Sequence, residues 1–255
     1  MRAFFLFLAR LEGFKDFAMR FGVFRKTALR FVAGETLEDA VRAVRQANGQ
    51  NIRGTLDLLG ENTRTREDAA NACREIAGLF DRIRDENIDC NVSVKLTQLG
   101  LALDREVAAQ NLLQIPRHAR DRDNFVRVDM EDSPYTQATL ELVTQAHRQM
   151  GNVGTVIQAY LYRSEQDVAR LLADGIRIRL VKGAYLEPAS VAYRRLEDTN
   201  ANYMKLMRVL LASAPYHAIA THDESIIAAT RDFASARGIS RDHFEFQMLY
   251  GIRRD

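Results

Sequence analysis

Charged side chains recur in this chain where a buried strand would ordinarily be apolar. Arg177 to Tyr185 read RIRLVKGAY. Ile178, Leu180 and Val181 have the character of a buried strand, yet Arg177 and Arg179 share one side of it, and Lys182, Gly183 and Tyr185 follow at its end. The same period-two spacing sets Asp57 on one side of its segment, Lys95 on that of the next, then Arg127 with Asp129, Gln158, Thr221, and Glu245 with Gln247. Burying so many charges without use is costly and demands near-complete pairing. Gathered in one place, they offer cations for an anionic group, carboxylates to pair with or fix them, and in Lys95 an amine able to form a Schiff base with an acidic metabolite.

The elements that must position these residues alternate from residue 34 onward. GETLEDAVRAVRQANGQ reads as a helix and RGTLDLLGE as a strand. Further strands are expected at CNVSVKLTQLG, NFVRVDMED, GTVIQAYLY, IRIRLVKGAY, YHAIATHD and FEFQMLYG, each separated from the next by a helical stretch. Pro116 is expected to break one of these helices, Ser133-Pro134 to open the next, and Ser190 to Ala212 to form a long one. Strands alternating with helices, with no run of adjacent hairpins, imply a parallel α/β fold. Central strands of an open parallel sheet tend to be apolar on both faces, and these are not. A barrel collects the carboxyl ends of its strands around one mouth, where barrel enzymes keep their sites, so a (β/α) barrel is expected.

At 255 residues the chain has the length of one such barrel, typically ~250. Net charge is 36 − 34 = +2, with 47% hydrophobic and 27% charged residues, which gives no reason to expect nucleic acid. Cys73 and Cys90 have neither metal-ligand spacing nor the number for a disulfide framework, so a reduced, cytoplasmic setting and no metal are expected. In the N-terminal segment 1–33, Phe4, Leu8, Leu11, Phe14, Phe17, Phe21 and Phe24 recur at helical spacing, with a basic opposite side. Packing against the barrel domain (34–255) and peripheral contact with an anionic membrane both stay open for it. Standard short motifs are missing: GNVG at Gly151–Gly154 precedes a strand instead of following one, and no Ser-His-Asp order stands out. His222 in ATHDES reads equally as a structural or cofactor-lining residue and as a catalyst.

RLVKGAY, ATHD and FEFQMLYG, with SVKL, VRVDMED and IQAYL ahead of them, resemble the proline dehydrogenase family in order and spacing over about residues 30–255. The resemblance implies a distorted (β/α)8 TIM-type barrel, FAD as cofactor, oxidation of L-proline to Δ1-pyrroline-5-carboxylate, and a membrane quinone as electron acceptor. It places Lys95, Asp129, Tyr185 and Arg179 around the substrate. Gln158, Arg179, Val181, Lys182, Gly183, Ala184, Thr221 and His222 would line the flavin. In the family, FEFQMLYG is followed by an eighth strand and a helix whose arginine pair clamps the substrate carboxylate. Here Arg253-Arg254 comes too soon after the seventh strand to be that pair. The expectation is therefore a barrel stopping before its eighth strand, with a flavin-binding chain of little turnover as the alternative. Oligomerisation is left open.

Overall fold

The computed structural model describes residues 33–34, 36–58 and 63–252. The N-terminal helical reading of residues 1–33 falls, Ala33 apart, outside them. Seven parallel strands, paired in sequence order, form one sheet: β1 (Gly54–Asp57), β2 (Cys90–Val94), β3 (Val126–Val128), β4 (Val153–Gln158), β5 (Ile178–Val181), β6 (His217–Ala220) and β7 (Phe244–Gln247). Between them run α2 (Arg66–Asp85), α3 (Arg105–Arg120), α4 (Ser133–Met150), α5 (Ser164–Ala173), α6 (Leu196–Leu211) and α7 (Glu224–Ala236), with α1 (Leu37–Asn48) ahead of β1. Among the described residues β1 and β7 are the two edges of the sheet.

The sheet is strongly curled. Arg127 of β3 and Glu245 of β7 approach to 4.0 Å, although their strands stand four positions apart. At about 4.8 Å per strand a flat sheet would separate them by some 19 Å. Side chains that meet across such a gap must share the concave face of an arc, as they do in a barrel.

The convex face of the arc is the hydrophobic one. Val92, Val94, Val126, Val128, Ile178, Leu180 and Ile219 are fully buried. They belong to one core with Ile76, Phe80, Leu112, Ile115, Val143, Leu206, Met207 and Leu210 of the surrounding helices. Alternation along each strand therefore sends aliphatic residues outward to the helices and polar residues inward, unlike an open parallel sheet, which is apolar on both faces. Local chemistry fixes the helix starts. Thr36 accepts from the Asp39 amide, Thr65 and Asp68 form a reciprocal capping box, and Asp104 and Asp223 cap α3 and α7. Among the described residues no helix is long and apolar enough to cross a membrane.

Two expectations about the elements are corrected. Pro116 does not break α3; it lies inside the helix, buried, with its carbonyl accepting from Asn152 Nδ2 at 2.9 Å. The long helix starts at Leu196, not Ser190. The residues before it are taken by another partner: Leu161 and Ala192 form an antiparallel bridge, and the Tyr193 amide donates to the Tyr160 carbonyl at 2.8 Å. Backbone groups committed to that seam are not free to form a helical turn. Within GNVG, Val153 and Gly154 belong to β4, and a Cβ at Gly154 would stand 2.5 Å from the carbonyl of Arg177, the residue before β5.

Candidate active site

The carboxyl ends of β1, β2 and β3 and the inner face of β5 bring four charges into one line. Lys95, one residue past β2, pairs with Asp57 at the end of β1, and its Nζ lies 3.6 Å from Asp129 Oδ2 just beyond β3. Arg179 reaches over β4, so that its NH1 donates to Asp129 Oδ1 at 3.0 Å. The signs alternate and cancel, which is how the fold tolerates charge at this depth. Burial pulls the Lys95 ammonium down, but Asp57 and Asp129 beside it outweigh that and leave its pKa above the ordinary lysine value. Burial lifts the Asp129 carboxyl above its ordinary range against the pull of Arg179 and Lys95. Lys95 and Asp129 thus face each other, but each has a nearer partner. Asp129 is the hinge of the line, bound to the lysine on one side and the arginine on the other.

Deeper in the arc lies a second layer. Arg127 is almost wholly buried, and burial together with the nearby Arg179 cation draws its pKa down to about 9. Its Nε and NH1 have no hydrogen-bond partner. Glu245 faces it and accepts from the Tyr216 hydroxyl at 3.1 Å.

The rim is built by β3, β4, β5 and β6. Glu131 is buried, accepts from Thr97 Oγ1 at 2.8 Å, and through its carbonyl accepts from Gln158 Nε2 at 2.9 Å. Beyond Val181, Lys182 donates to Asp223 Oδ2 at 2.6 Å. That bond, followed by Ser225, holds the Asp223 carboxyl down at about 2. Thr221 Oγ1 accepts from the Asp223 amide, and His222 Nε2 accepts from the Leu249 amide at 2.9 Å, tying β6 to the end of β7. Gly183 has φ +116°, and a Cβ there would stand 2.5 Å from the Tyr160 ring. Only glycine satisfies both conditions. Tyr185 follows, 37% exposed, with burial first and the Glu131 charge second raising its phenol pKa.

The residues named from the sequence therefore gather at one mouth in two groups. Lys95, Asp129 and Arg179 form the charged line; Gln158, Val181 to Tyr185, Thr221 and His222 form the rim. Sequence reading placed Asp57 on the inward row without naming it as a site residue, although its position at a strand end was the available signal. Glu131 and Tyr160 were also passed over. Tyr160 lies within the IQAYL segment, but nothing local shows that its ring meets Gly183. Cys73 and Cys90 lie away from this mouth, and burial pushes their thiols up to about 11 and about 12.

Comparison with known proteins points one way. The family model described as proline dehydrogenase matches residues 40–254. Proline dehydrogenase 1 of Bacillus subtilis is 38% identical over 253 residues, covering 99% of this chain and 83% of that protein. The proline dehydrogenase of Deinococcus radiodurans is 42% identical over 235 residues, covering 89% of this chain and 75% of its own length. Among solved structures, proline utilization A from Bdellovibrio bacteriovorus, inactivated by N-propargylglycine, superposes with a TM-score of 0.83 at 25% identity. The match takes in 90% of this chain and 29% of that much longer one.

Proposed function

The chain belongs to the proline dehydrogenase family and is an enzyme of that class, and on that premise we propose that it oxidises L-proline to Δ1-pyrroline-5-carboxylate with FAD bound at the mouth of the arc. The observation that carries this reading is the line Asp57–Lys95–Asp129–Arg179, set between a pocket rim and a segment with a spare donor. The residues fit a flavin in one visible respect. Arg179 spends NH1 on Asp129 but keeps a buried Nε without a partner, a donor waiting for an acceptor.

Arg179, Gln158, Val181, Lys182, Gly183, Ala184, Thr221 and His222 would hold the cofactor. When bound, FAD would supply the acceptor for a hydride, a proton with two electrons, from the ring carbon next to the proline nitrogen. The amine must reach that point neutral, and its remaining N–H proton leaves as the C=N bond forms. The protein's part is positioning and electrostatics. Arg179 places a fixed cation where negative charge develops. Lys95 offers the substrate carboxylate a counter-charge whose own position is set by Asp57 and Asp129. Asp129 fixes Arg179 and Lys95 relative to each other, and Tyr185 walls the pocket. Electrons then pass to a quinone, which puts the protein at a membrane surface in the cytoplasm.

The test is an anaerobic titration. The purified chain loaded with FAD is expected to show flavin absorbance that L-proline bleaches. Absent flavin binding refutes the cofactor site; bound flavin that proline leaves unbleached refutes the reaction.

A further inference from the structure

α4 begins without help from its own N-cap. Asp132 precedes it but makes no side-chain capping bond, so the first amide of the helix would lack a partner. The Ser133 amide instead donates to Glu187 Oε1 at 2.7 Å, across 54 residues of sequence. Glu187 is 9% exposed. A buried carboxylate at a helix N-terminus is favoured by the helix dipole as well as by the hydrogen bond.

Glu187 stands at the far point of an excursion. The chain leaves β5 where the Tyr160 amide donates to the Lys182 carbonyl at 3.0 Å. It returns where the Tyr162 amide donates to Val191 and the Tyr193 amide to Tyr160. Near the return Tyr162 donates its hydroxyl to the Ala189 carbonyl at 2.9 Å and sets its ring edge-on to Tyr193. Between the departure and Ala189, the loop is tied to another element, the start of α4, by Glu187. Tyr185 and the exposed Leu186 lie immediately before it. α4 follows directly on the segment after β3 that carries Asp129 and Glu131, so this bond links the loop bearing Tyr185 to the segment that gives the charged line its Asp129.

We propose that Glu187 is a positioning residue: by capping α4 it pins the 183–190 loop across to the β3 end and so holds Tyr185 over the Lys95–Asp129–Arg179 line. This rests on the reading of Tyr185 as a wall of the proline pocket. Glu187→Gln keeps an acceptor oxygen, whereas Glu187→Ala leaves the Ser133 amide unmet and the loop untethered.

Two measurements on the FAD-loaded chain test it. Hydrogen exchange is expected to quicken across 183–190 and at the start of α4 in Glu187→Ala, and to stay near the parent in Glu187→Gln. In steady-state kinetics Glu187→Ala is expected to raise KM for proline about tenfold, the scale of one charge-assisted bond, with kcat and flavin content changed less than about twofold on that account. In a Tyr185→Ala background the same substitution should add nothing further to KM. Unchanged exchange in Glu187→Ala overturns the tether. A KM increase of equal size in the Tyr185→Ala background overturns its action through Tyr185. If Tyr185→Ala alone leaves KM unmoved while exchange still quickens in Glu187→Ala, the pocket reading has failed, and the purpose assigned to the tether falls with it.

Discussion

Gly183→Ala isolates a single backbone feature of the site. The native φ of +116° lies outside both the right- and left-handed helical basins, and the added Cβ would stand 2.5 Å from Cδ1 and Cε1 of Tyr160. Holding a non-glycine residue in such a conformation costs about 1–3 kcal/mol. Forcing a methyl group against a packed ring costs about 1–3 kcal/mol more. The Tyr160 ring is buried, and its backbone is fixed by the bonds to Lys182 and Tyr193, so it cannot swing clear cheaply. The sum, about 2–6 kcal/mol, predicts a fall in Tm of roughly 5–20 °C for a domain of this size. Differential scanning calorimetry would read it. Tyr160→Ala opens the space without changing φ, so the double variant should recover the steric part: its Tm should lie below that of Tyr160→Ala by less than Gly183→Ala lies below the parent. A Gly183→Ala protein that melts with the parent would refute the reasoning. Full additivity of the two changes would refute the part assigned to Tyr160.

His217 should make the fold acid-sensitive. Its Nδ1 accepts from the Ile178 amide, and its Nε2 meets Ser213 Oγ at 2.9 Å, so the ring must be neutral to serve β5. Burial first, then His243, Arg127 and Arg177, draw its pKa from 6.5 to about 4. The unfolded chain therefore binds a proton at a pH where the folded one does not, and stability present above about 6.5 is lost as pH falls toward 4, on the order of 3 kcal/mol in all. His217→Gln should flatten the Tm–pH profile in that window; an unchanged profile counts against the assignment. Arg179→Met should lower the reduction potential of bound flavin, measured by spectroelectrochemistry, and a potential that stays put would remove Arg179 from the flavin. Lys95→Met should raise KM for proline by about tenfold or more, as loss of a charged partner does, whereas a change confined to flavin content would move Lys95 to the cofactor side.

Much of this was legible in the sequence because it depends on period and order. Alternation predicted the polar inner face, and the strand–helix succession predicted parallel pairing; Asp57, Lys95, Asp129 and Arg179 stand where inward spacing puts them. The misreadings share a cause. Local pattern allowed a helix from Ser190, but the backbone there is claimed by Tyr160 and Leu161, some 30 residues earlier. Pro116 looked like a break because a proline inside a helix forfeits one hydrogen bond, a loss that tertiary burial offsets here. The φ of Gly183 and the Tyr160 ring beside it set requirements that no local pattern encodes. The capping of α4 by Glu187 spans 54 residues, and no periodicity encodes it.

Asp129 joins the lysine and the arginine on which the account depends, so Asp129→Ala tests it most directly, with flavin content and the rate of anaerobic bleaching by L-proline measured on the same sample. Removing one partner of a buried charge pair costs about 2–5 kcal/mol, which predicts bleaching slowed by about 30-fold or more with flavin content unchanged. Bleaching at the parental rate, or loss of flavin from a protein that remains folded, would contradict the assignment of this line of charges to the proline site.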